Sequence, residues 1–504
     1  DPHAHVFSMA IAPLALGFAF AFVLGRGRWK GILSAACSFL FGGLAISALR
    51  PTNTWDFYPY LALAVVAVLY TLLANAEPAE GLRRRLPVLR SLPQVSLRLV
   101  TALLGVVVLV TLVELFFKPY TDWYGLGYGE VGLWEGPRTP LSSYFVHWGL
   151  FLFVIASWLV WESVEWMSST PVSALNSLRP HKGLLQAAGL LVLAAVGALL
   201  LYGVSIGWVV VLLGLWAAVL LLRPGQPESK RVVLFLTGTA LAITLMVELV
   251  VLKGDIGRMN TVFKFYLQAW TLLAVSAAAC LGWLLTSLHT WEPALRRAWQ
   301  VGVSALVLGA ALYTLTASMA KIEDRMVPSA PHTLDGMRYM AYARYDWEGP
   351  MDLSQDYQAI RWMQENVEGS PVIVEANLRD LYRWGSRFTI YTGLPGVVGW
   401  EWHQQQQRAV VPASWVSERI AEISDFYLTT DFEYAYDFLE KYNVRYIIVG
   451  QLERNHYPGP GLDKFPAGEG KYWRTVFQYQ DTTIYEVLDR TTAMQPDAGC
   501  TLCR

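Results

Sequence analysis

The sequence predicts an α-helical integral membrane bundle of about ten transmembrane helices followed by an α/β extracytoplasmic domain. Three observations lead there. Hydrophobic residues make up 54% of the chain and charged ones 16%, with a mean hydropathy of +0.35, too apolar for a soluble protein of 504 residues. Almost all the long apolar runs lie before residue 319. Beyond it, short β-rich runs alternate with helical patterns. Domains are therefore expected at 1–318, polytopic and transmembrane, and at 319–504, soluble and α/β. The net charge of −1 offers no bulk electrostatic attraction for nucleic acid, and no nucleic-acid partner is expected.

Segments near 6–25, 30–49, 58–75, 99–117, 143–162, 184–203, 205–222, 231–252, 263–286 and 299–318 are each long enough to span a bilayer; the hydrocarbon core is about 30 Å thick and a helix rises about 1.5 Å per residue. Between Tyr202 and Trp208 only a tight turn separates two of them. One set of connecting loops holds Arg26, Arg28, Lys30, Arg83, Arg84, Arg85, Arg90, Arg98, Arg179, Lys182, Arg223, Lys230, Arg231, Arg296 and Arg297. The opposite set, before residue 319, holds Arg50, Lys118, Arg138, Lys253, Arg258 and Lys264. The basic bias makes the first set cytoplasmic. The N-terminus and the region after residue 318 then face outward. So do the unusual motifs: 1–5 (DPHAH), 53–58 (NTWDFY), the 120–139 loop and 255–260 (DIGRMN).

In the C-terminal region, Ser354 and Asp356 can start a helix running to Asn366, with Tyr357, Ile360, Met363 and Val367 as its apolar stripe. Strands are expected at 372–374, 388–391, 446–449, 475–479 and 483–487, with helices at 414–427 and 431–442. The chain begins with Asp1 and not Met, so it is expected to be a fragment or processed product lacking upstream helices. Cys37 and Cys280 sit in apolar runs and read as inert core thiols. Cys500 and Cys503 form a CxxC at the chain end, too isolated to assign a metal or redox role.

Chemistry concentrates in residues 255–270, DIGRMNTVFKFYLQAW, which run directly into an apolar span yet carry Asp255, Arg258, Asn260, Lys264 and Gln268. Placing a charge at membrane depth costs about 2.5–3.5 kcal/mol even on lenient scales. Asn260, Lys264 and Gln268 are spaced i, i+4, i+8 and share one helix face, which must look into protein or a water-filled cavity. The plainer alternative is an interfacial anchor with Arg258 and Lys264 snorkelling to headgroups.

Asp1, His3 and His5 alternate, so an extended chain presents all three on one side. They are candidate ligands for a divalent cation. Alternatively Asp1 alone serves as base or carboxylate ligand while the histidines hydrogen-bond a phosphate, or the stretch is simply a polar chain end before a helix. Asp56, between Trp55 and Tyr58 at a membrane entry, is either a site carboxylate or part of an aromatic belt with Asn53 or Asp56 as helix cap. Glu114 and Glu248, late in outward-running spans, each need a partner, and Arg258 is a candidate for either. Residues 399–408, GWEWHQQQQR, gather Trp400, Glu401, Trp402, His403, Gln404 and Arg408. Rings and amides suit a sugar; they suit a domain–membrane contact equally.

With these motifs assembled, the chain resembles the bacterial and archaeal "YYY" family of multi-spanning membrane proteins of unassigned function. The matching stretches are DPHAH, NTWDFY, RMNTVFKFYLQAW, TLDG at 333–336 and TGLPGVVGWEWHQQQQR at 392–408. The tyrosine triplet that names the family does not occur in this chain; in the family it lies upstream of the DxHxH element. The family is similar in architecture to GT-C glycosyltransferases, which take sugar from a polyprenyl-phosphate donor and use a first-loop carboxylate as base or metal-positioning group. The resemblance implies a lipid-linked sugar as partner within a bacterial or archaeal cell membrane, with a divalent cation as a candidate cofactor. It assigns the carboxylate role to Asp1 first and Asp56 second. Arg258 and Lys264 would clamp the phosphate, with His3, His5, Glu248, Asp255, Asn260 and Gln268 around it. Trp400, Glu401, His403 and Arg408 would contact acceptor or donor. The alternatives are a transporter or flippase-like protein using the same polar helix face, and a non-catalytic membrane scaffold.

Overall fold

A computed structural model describes residues 4–86, 88, 91–125, 129–253 and 256–489. Asp1, His3, Asp255, Cys500 and Cys503 lie outside the described residues. The chain divides into two units, Asp1–Asp122 with Tyr128–Leu315, and Trp123–Gly127 with Thr316–Arg504.

The first unit is helical. Its helices are α1 (Ala4–Leu24), α2 (Ile32–Thr52), α3 (Thr54–Ala74), α4 (Ala76–Arg85), α5 (Gln94–Phe116), α6 (Lys118–Trp123), α7 (Leu141–Ser169), α8 (Lys182–Leu201), α9 (Gly207–Leu221), α10 (Glu228–Leu249), α11 (Arg258–Ser287) and α12 (Pro293–Arg325). Nine helical stretches among the described residues are long and apolar enough to cross a membrane. The remaining apolar helix, α9, has 15 residues, which at about 1.5 Å per residue falls short of a bilayer core of about 30 Å. Pro93, Pro140 and Pro227 stand immediately before α5, α7 and α10, where their fixed φ suits a helix entry and no N–H is wasted.

The core of this unit is aromatic and aliphatic: Phe57, Tyr60, Tyr144, Trp148 and Trp158 are fully buried. α10 packs on α9 and α11, α1 on α2 and α3, and α5 on α2 and α3. Gly42 lets α2 approach α1 closely, since a Cβ there would come within 2.4 Å of the Phe18 ring. α8 buries none of its described side chains and α12 buries Trp299 alone, so their apolar surfaces are left to lipid. A short antiparallel pair, β1 (Val131–Leu133) with β2 (Val250–Leu252), ties the 120–139 loop to the end of α10.

The second unit is α/β. A hairpin, β3 (Arg344–Asp346) with β4 (Pro350–Asp352), leads into α13 (Leu353–Asn366). There follow β5 (Val372–Val374), α14 (Arg387–Thr392), α15 (Glu401–Gln407), α16 (Ser414–Leu428), α17 (Phe432–Lys441), β6 (Val444–Val449), α18 (Gln451–His456), α19 (Lys464–Ala467), β7 (Trp473–Tyr479) and β8 (Thr482–Val487). The sheet order is β5-β6-β8-β7, with β5 and β6 parallel and the other pairs antiparallel. Ile447, Ile448 and Val449 are buried at consecutive positions, as a strand covered on both faces requires.

Two local expectations are corrected. Residues 388–391 form helix α14, not a strand. The carboxylate of Glu375 accepts the first N–H groups of that turn, Phe388 at 3.0 Å and Thr389 at 2.9 Å, a cap supplied from the residue just after β5 that overrides β propensity. α13 is capped by Asp352, whose carboxylate accepts from Ser354 N at 3.0 Å. Asp356 is instead buried against Arg387.

Lys464 is buried, with its ammonium donating to the carbonyls of Gly461 at 2.8 Å and Tyr427 at 3.1 Å. Burial pushes this group down to about 7, against an ordinary value of 10.5. Between those values the unfolded chain binds the additional proton, so stability rises with pH over that window. The rise is at most about 1.4 kcal/mol per pH unit. Lys464→Met should flatten the rise in Tm of the detergent-solubilised protein between neutral and alkaline pH. Parallel Tm curves for both proteins would rule the titration out.

Candidate functional site

α1, α3 and α11 begin at the same end of the first unit, and their first turns meet. Asn53 is the single residue between α2 and α3, closing the first through its N–H to Leu49 O at 2.7 Å. Its side-chain amide turns back to Asp56 Oδ1 at 2.9 Å. Asp56 lies in the first turn of α3 and is 1% exposed. The side-chain amide of Gln268 from α11 donates to the same oxygen, while the Ser8 hydroxyl of α1 donates to His5 O at 3.1 Å. A buried carboxylate is tolerated only when its lone pairs are met by donors, and here the α2–α3 junction and α11 supply them.

Beside it, Lys264 is buried one turn before Gln268, with its ammonium 5.7 Å from the Trp55 ring centroid. His5 of α1 is buried and meets Phe263 of α11 edge-on, with ring centroids 4.6 Å apart. Asn260 is half-buried one turn earlier. The structure therefore brings His5, Asp56, Lys264 and Gln268 together. Three helix N-termini at one place add positive partial charge to that of Lys264.

A second cluster forms where β1 and β2 hold the 120–139 loop. Glu248 is fully buried at the end of α10 and pairs with Arg258 Nη2. Thr139 donates to its two oxygens, through N at 3.0 Å and Oγ1 at 2.5 Å. Arg258 also donates to Val247 O at 3.1 Å, Pro137 O at 3.3 Å and Thr139 Oγ1 at 2.9 Å. Of the two carboxylates for which the sequence offered Arg258 as partner, Glu248 takes it. Glu114 instead has a bidentate pair with Arg50, at 2.8 and 2.9 Å. The charge of Arg258 is thus committed to the fold, which tells against a free phosphate clamp at this residue. Arg138, next to Thr139, donates to Glu248 O and Trp134 O. With Ser205 and Tyr202 it lines a cavity of about 560 Å³.

In the second unit, Trp400, Tyr382 and His403 form an aromatic group, with Tyr382 Oη 2.7 Å from His403 Nε2. Glu401 is half-buried at the start of α15 and lines a cavity of about 570 Å³. Arg408 is exposed and its backbone bridges to Gly125. Among the described residues no group of three His, Cys, Asp or Glu side chains is placed to hold a metal. His5 is the described member of the DPHAH triad, and Phe263 is its ring neighbour.

Sequence reasoning passed over Asn53 as a partner of Asp56, although the i, i+3 spacing puts them on one turn. It also passed over Thr139 and Arg138, whose roles depend on a loop folding back over more than a hundred residues.

A family model described as an uncharacterized membrane protein, DUF2298, matches residues 1–273. The chain belongs to this family. Membership bears out the resemblance to a multi-spanning membrane family of unassigned function, and the matched stretch holds Asp56, Glu248, Arg258, Lys264 and Gln268. No curated protein matches the sequence. Among solved structures, the chain is similar to the Archaeoglobus fulgidus oligosaccharyltransferase, crystallised with Zn and sulfate. The identity is 14% and the TM-score 0.31, over 96% of this chain and 54% of that one. The chain thus spans about half the length of that structure.

Proposed function

We propose that this DUF2298 member is a membrane glycosyltransferase that uses a polyprenyl-phosphate-linked sugar on the extracytoplasmic face. The observation that carries the reading is the buried Asp56 carboxylate, held by Asn53 and Gln268 beside the cation of Lys264. A lipid-phosphate donor needs a cation and oriented dipoles at the leaving phosphate, and a carboxylate near the attacking hydroxyl. Lys264 and the N-termini of α1, α3 and α11 supply the first. Asp1, which the motif resemblance ranks first, or Asp56 supplies the second. Arg258 then acts through position, holding the 120–139 loop on Glu248.

Lys264→Met tests the phosphate role, because methionine keeps the length and apolarity of the stem and removes only the cation. Binding of a radiolabelled polyprenyl-phosphate sugar to the protein in nanodiscs should weaken about 10- to 100-fold, the worth of a hydrogen bond to a charged group. Equal or tighter binding would exclude Lys264 from the phosphate site.

The orientation is tested separately. The loop between α11 and α12 is expected inside and the C-terminal unit outside, from the arginine and lysine bias of the loops. In a background without the native cysteines, a membrane-impermeant maleimide should label a cysteine placed at Ser414 in intact cells and spare one at Thr290, both exposed positions. The reverse pattern would invert the topology and move the Asp56 end to the cytoplasm.

A further inference from the structure

The C-terminal unit contains a cavity of about 570 Å³, within the roughly 300–1,000 Å³ typical of small-molecule sites. It opens where the parallel pair β5 and β6 ends. Residues 377–380 follow β5, and His456 closes α18, the helix that follows β6. α16 forms the facing wall through Ala421 and its neighbours. Carboxyl ends of parallel strands are where the connections diverge and leave a crevice for ligands.

The chemistry of the wall is specific. Asn377 is 5% exposed. Its side-chain amide donates to Gly399 O at 3.0 Å, which fixes the orientation of the group. Its Oδ1 has no hydrogen-bond partner among the described residues. A buried acceptor left without a donor costs about 1–3 kcal/mol, and a donor on a ligand in the adjoining cavity would relieve that cost. Around it stand the carboxylates of Glu348, Asp380 and Glu401, with Arg379 as the arginine of the same lining. His456 Nδ1 is 2.6 Å from Glu348 Oε2 and so is already engaged. Trp347 lines the same cavity, its indole held by the Arg383 guanidinium 3.7 Å from the ring centroid.

Three carboxylates against the one guanidinium of Arg379 leave the wall net negative, which disfavours phosphate and other anions and asks for a ligand rich in hydroxyl donors with an apolar face for the indole. We infer that this cavity binds a neutral glycan of one or two sugar residues, with Asn377 Oδ1, Asp380 and Glu401 accepting from its hydroxyls. The site lies wholly within the C-terminal unit and does not rest on the transfer reaction proposed above, because binding is read without turnover.

The test uses the full chain in nanodiscs and saturation-transfer NMR, with N-acetylglucosamine, cellobiose and maltose as neutral probes and glucose 6-phosphate as the anionic one. At least one neutral sugar should show saturable transfer, and glucose 6-phosphate should bind more weakly than it. Ala421→Trp fills the cavity from an exposed position on α16 and should abolish the signal while the unfolding temperature holds. Asp380→Asn, on an exposed loop, should weaken binding about tenfold, the worth of one hydrogen bond to a charged group, and it serves as the readout should the tryptophan variant fail to fold. No saturable binding by any neutral probe would overturn the inference. So would unchanged affinity in a folded Ala421→Trp or in Asp380→Asn, or tighter binding of the sugar phosphate. None of these outcomes bears on donor binding at Lys264, which is measured with the lipid-linked sugar.

Discussion

Asp56→Asn is expected to lower sugar transfer by at least about 10²-fold, the loss typical of a removed acid–base or electrostatic group. Asparagine matches the size of the side chain and keeps one oxygen. Two amides, from Asn53 and Gln268, already donate to Asp56 Oδ1. The variant sets a third amide against them, and if its nitrogen takes the Oδ1 position, donor meets donor. The negative charge at this position disappears in either orientation. Gln268→Leu separates these effects, since it removes one donor while leaving the carboxylate. Its transfer rate should fall less than that of Asp56→Asn, with both variants inserted and folded by protease resistance. If Asp56→Asn keeps wild-type turnover while Asp1→Asn abolishes it, the reacting carboxylate is Asp1, the first in the motif ranking. Full activity in both variants would remove the glycosyltransferase reading, and the face carrying Asn260, Lys264 and Gln268 should then be pursued as a transport path.

Helices were the legible part of this chain, because a span of about 20 apolar residues declares itself without knowledge of its neighbours. The two-regime composition likewise marks a helical membrane region followed by an α/β one. Strand 388–391 failed for a reason no local window contains. The carboxylate that caps α14 belongs to Glu375, just after β5 and 13 residues before Phe388. Asp356 misled in the same way, reading as a helix-start acid when its partner Arg387 stands 31 residues on.

Around Asp56 the limits were similar. Periodicity alone placed Lys264 and Gln268 on one face of α11. That Gln268 reaches a carboxylate 212 residues earlier is a property of helix packing, and nothing in either motif encodes it. Arg258 illustrates the converse. As an arginine at a membrane entry it reads as a ligand for phosphate, yet the fold satisfies it with Glu248, Thr139 and two carbonyls. A charged residue in an unusual place announces that it has a partner; only the fold says whether the partner is a substrate.

Arg387→Met is expected to be the most destabilising single change in the C-terminal unit, at about 3–5 kcal/mol, the usual cost of orphaning buried charge. Arg387 is 1% exposed and faces three buried carboxylates. Its Nε meets Asp356 at 2.7 Å, its Nη2 meets Glu453 at 2.9 Å, and its Nη1 lies 3.4 Å from Glu375. The three acids do not share the cation equally. Burial pushes the Glu375 carboxyl up, and the Arg387 charge with two backbone N–H donors offsets this only in part. For Glu453, burial also pushes up, but the Arg387 charge, its hydrogen bonds and the N–H groups of Ala376 and Gly450 prevail, and the group ends below the usual range. Glu453 therefore contributes stability that is present above the ordinary carboxylate range and lost as pH falls through its lowered folded value. Glu375 has the opposite sign, since its raised folded value favours the protonated form. Glu375→Gln should accordingly cost less, about 1–2 kcal/mol, because glutamine removes a charge the site disfavours and keeps one of the two oxygens that accept from Phe388 N and Thr389 N, while its amide nitrogen leaves the other N–H without an acceptor. Glu453→Gln should cost more, since it breaks a two-point contact with the guanidinium at 2.9 and 3.1 Å. Pulse proteolysis of the full chain across a urea series would rank the three, with the Arg387 variant least stable and the Glu375 variant nearest wild type. A Glu375→Gln protein as unstable as Arg387→Met would mean that the cation serves all three acids alike, and that the division of roles drawn from their surroundings is wrong.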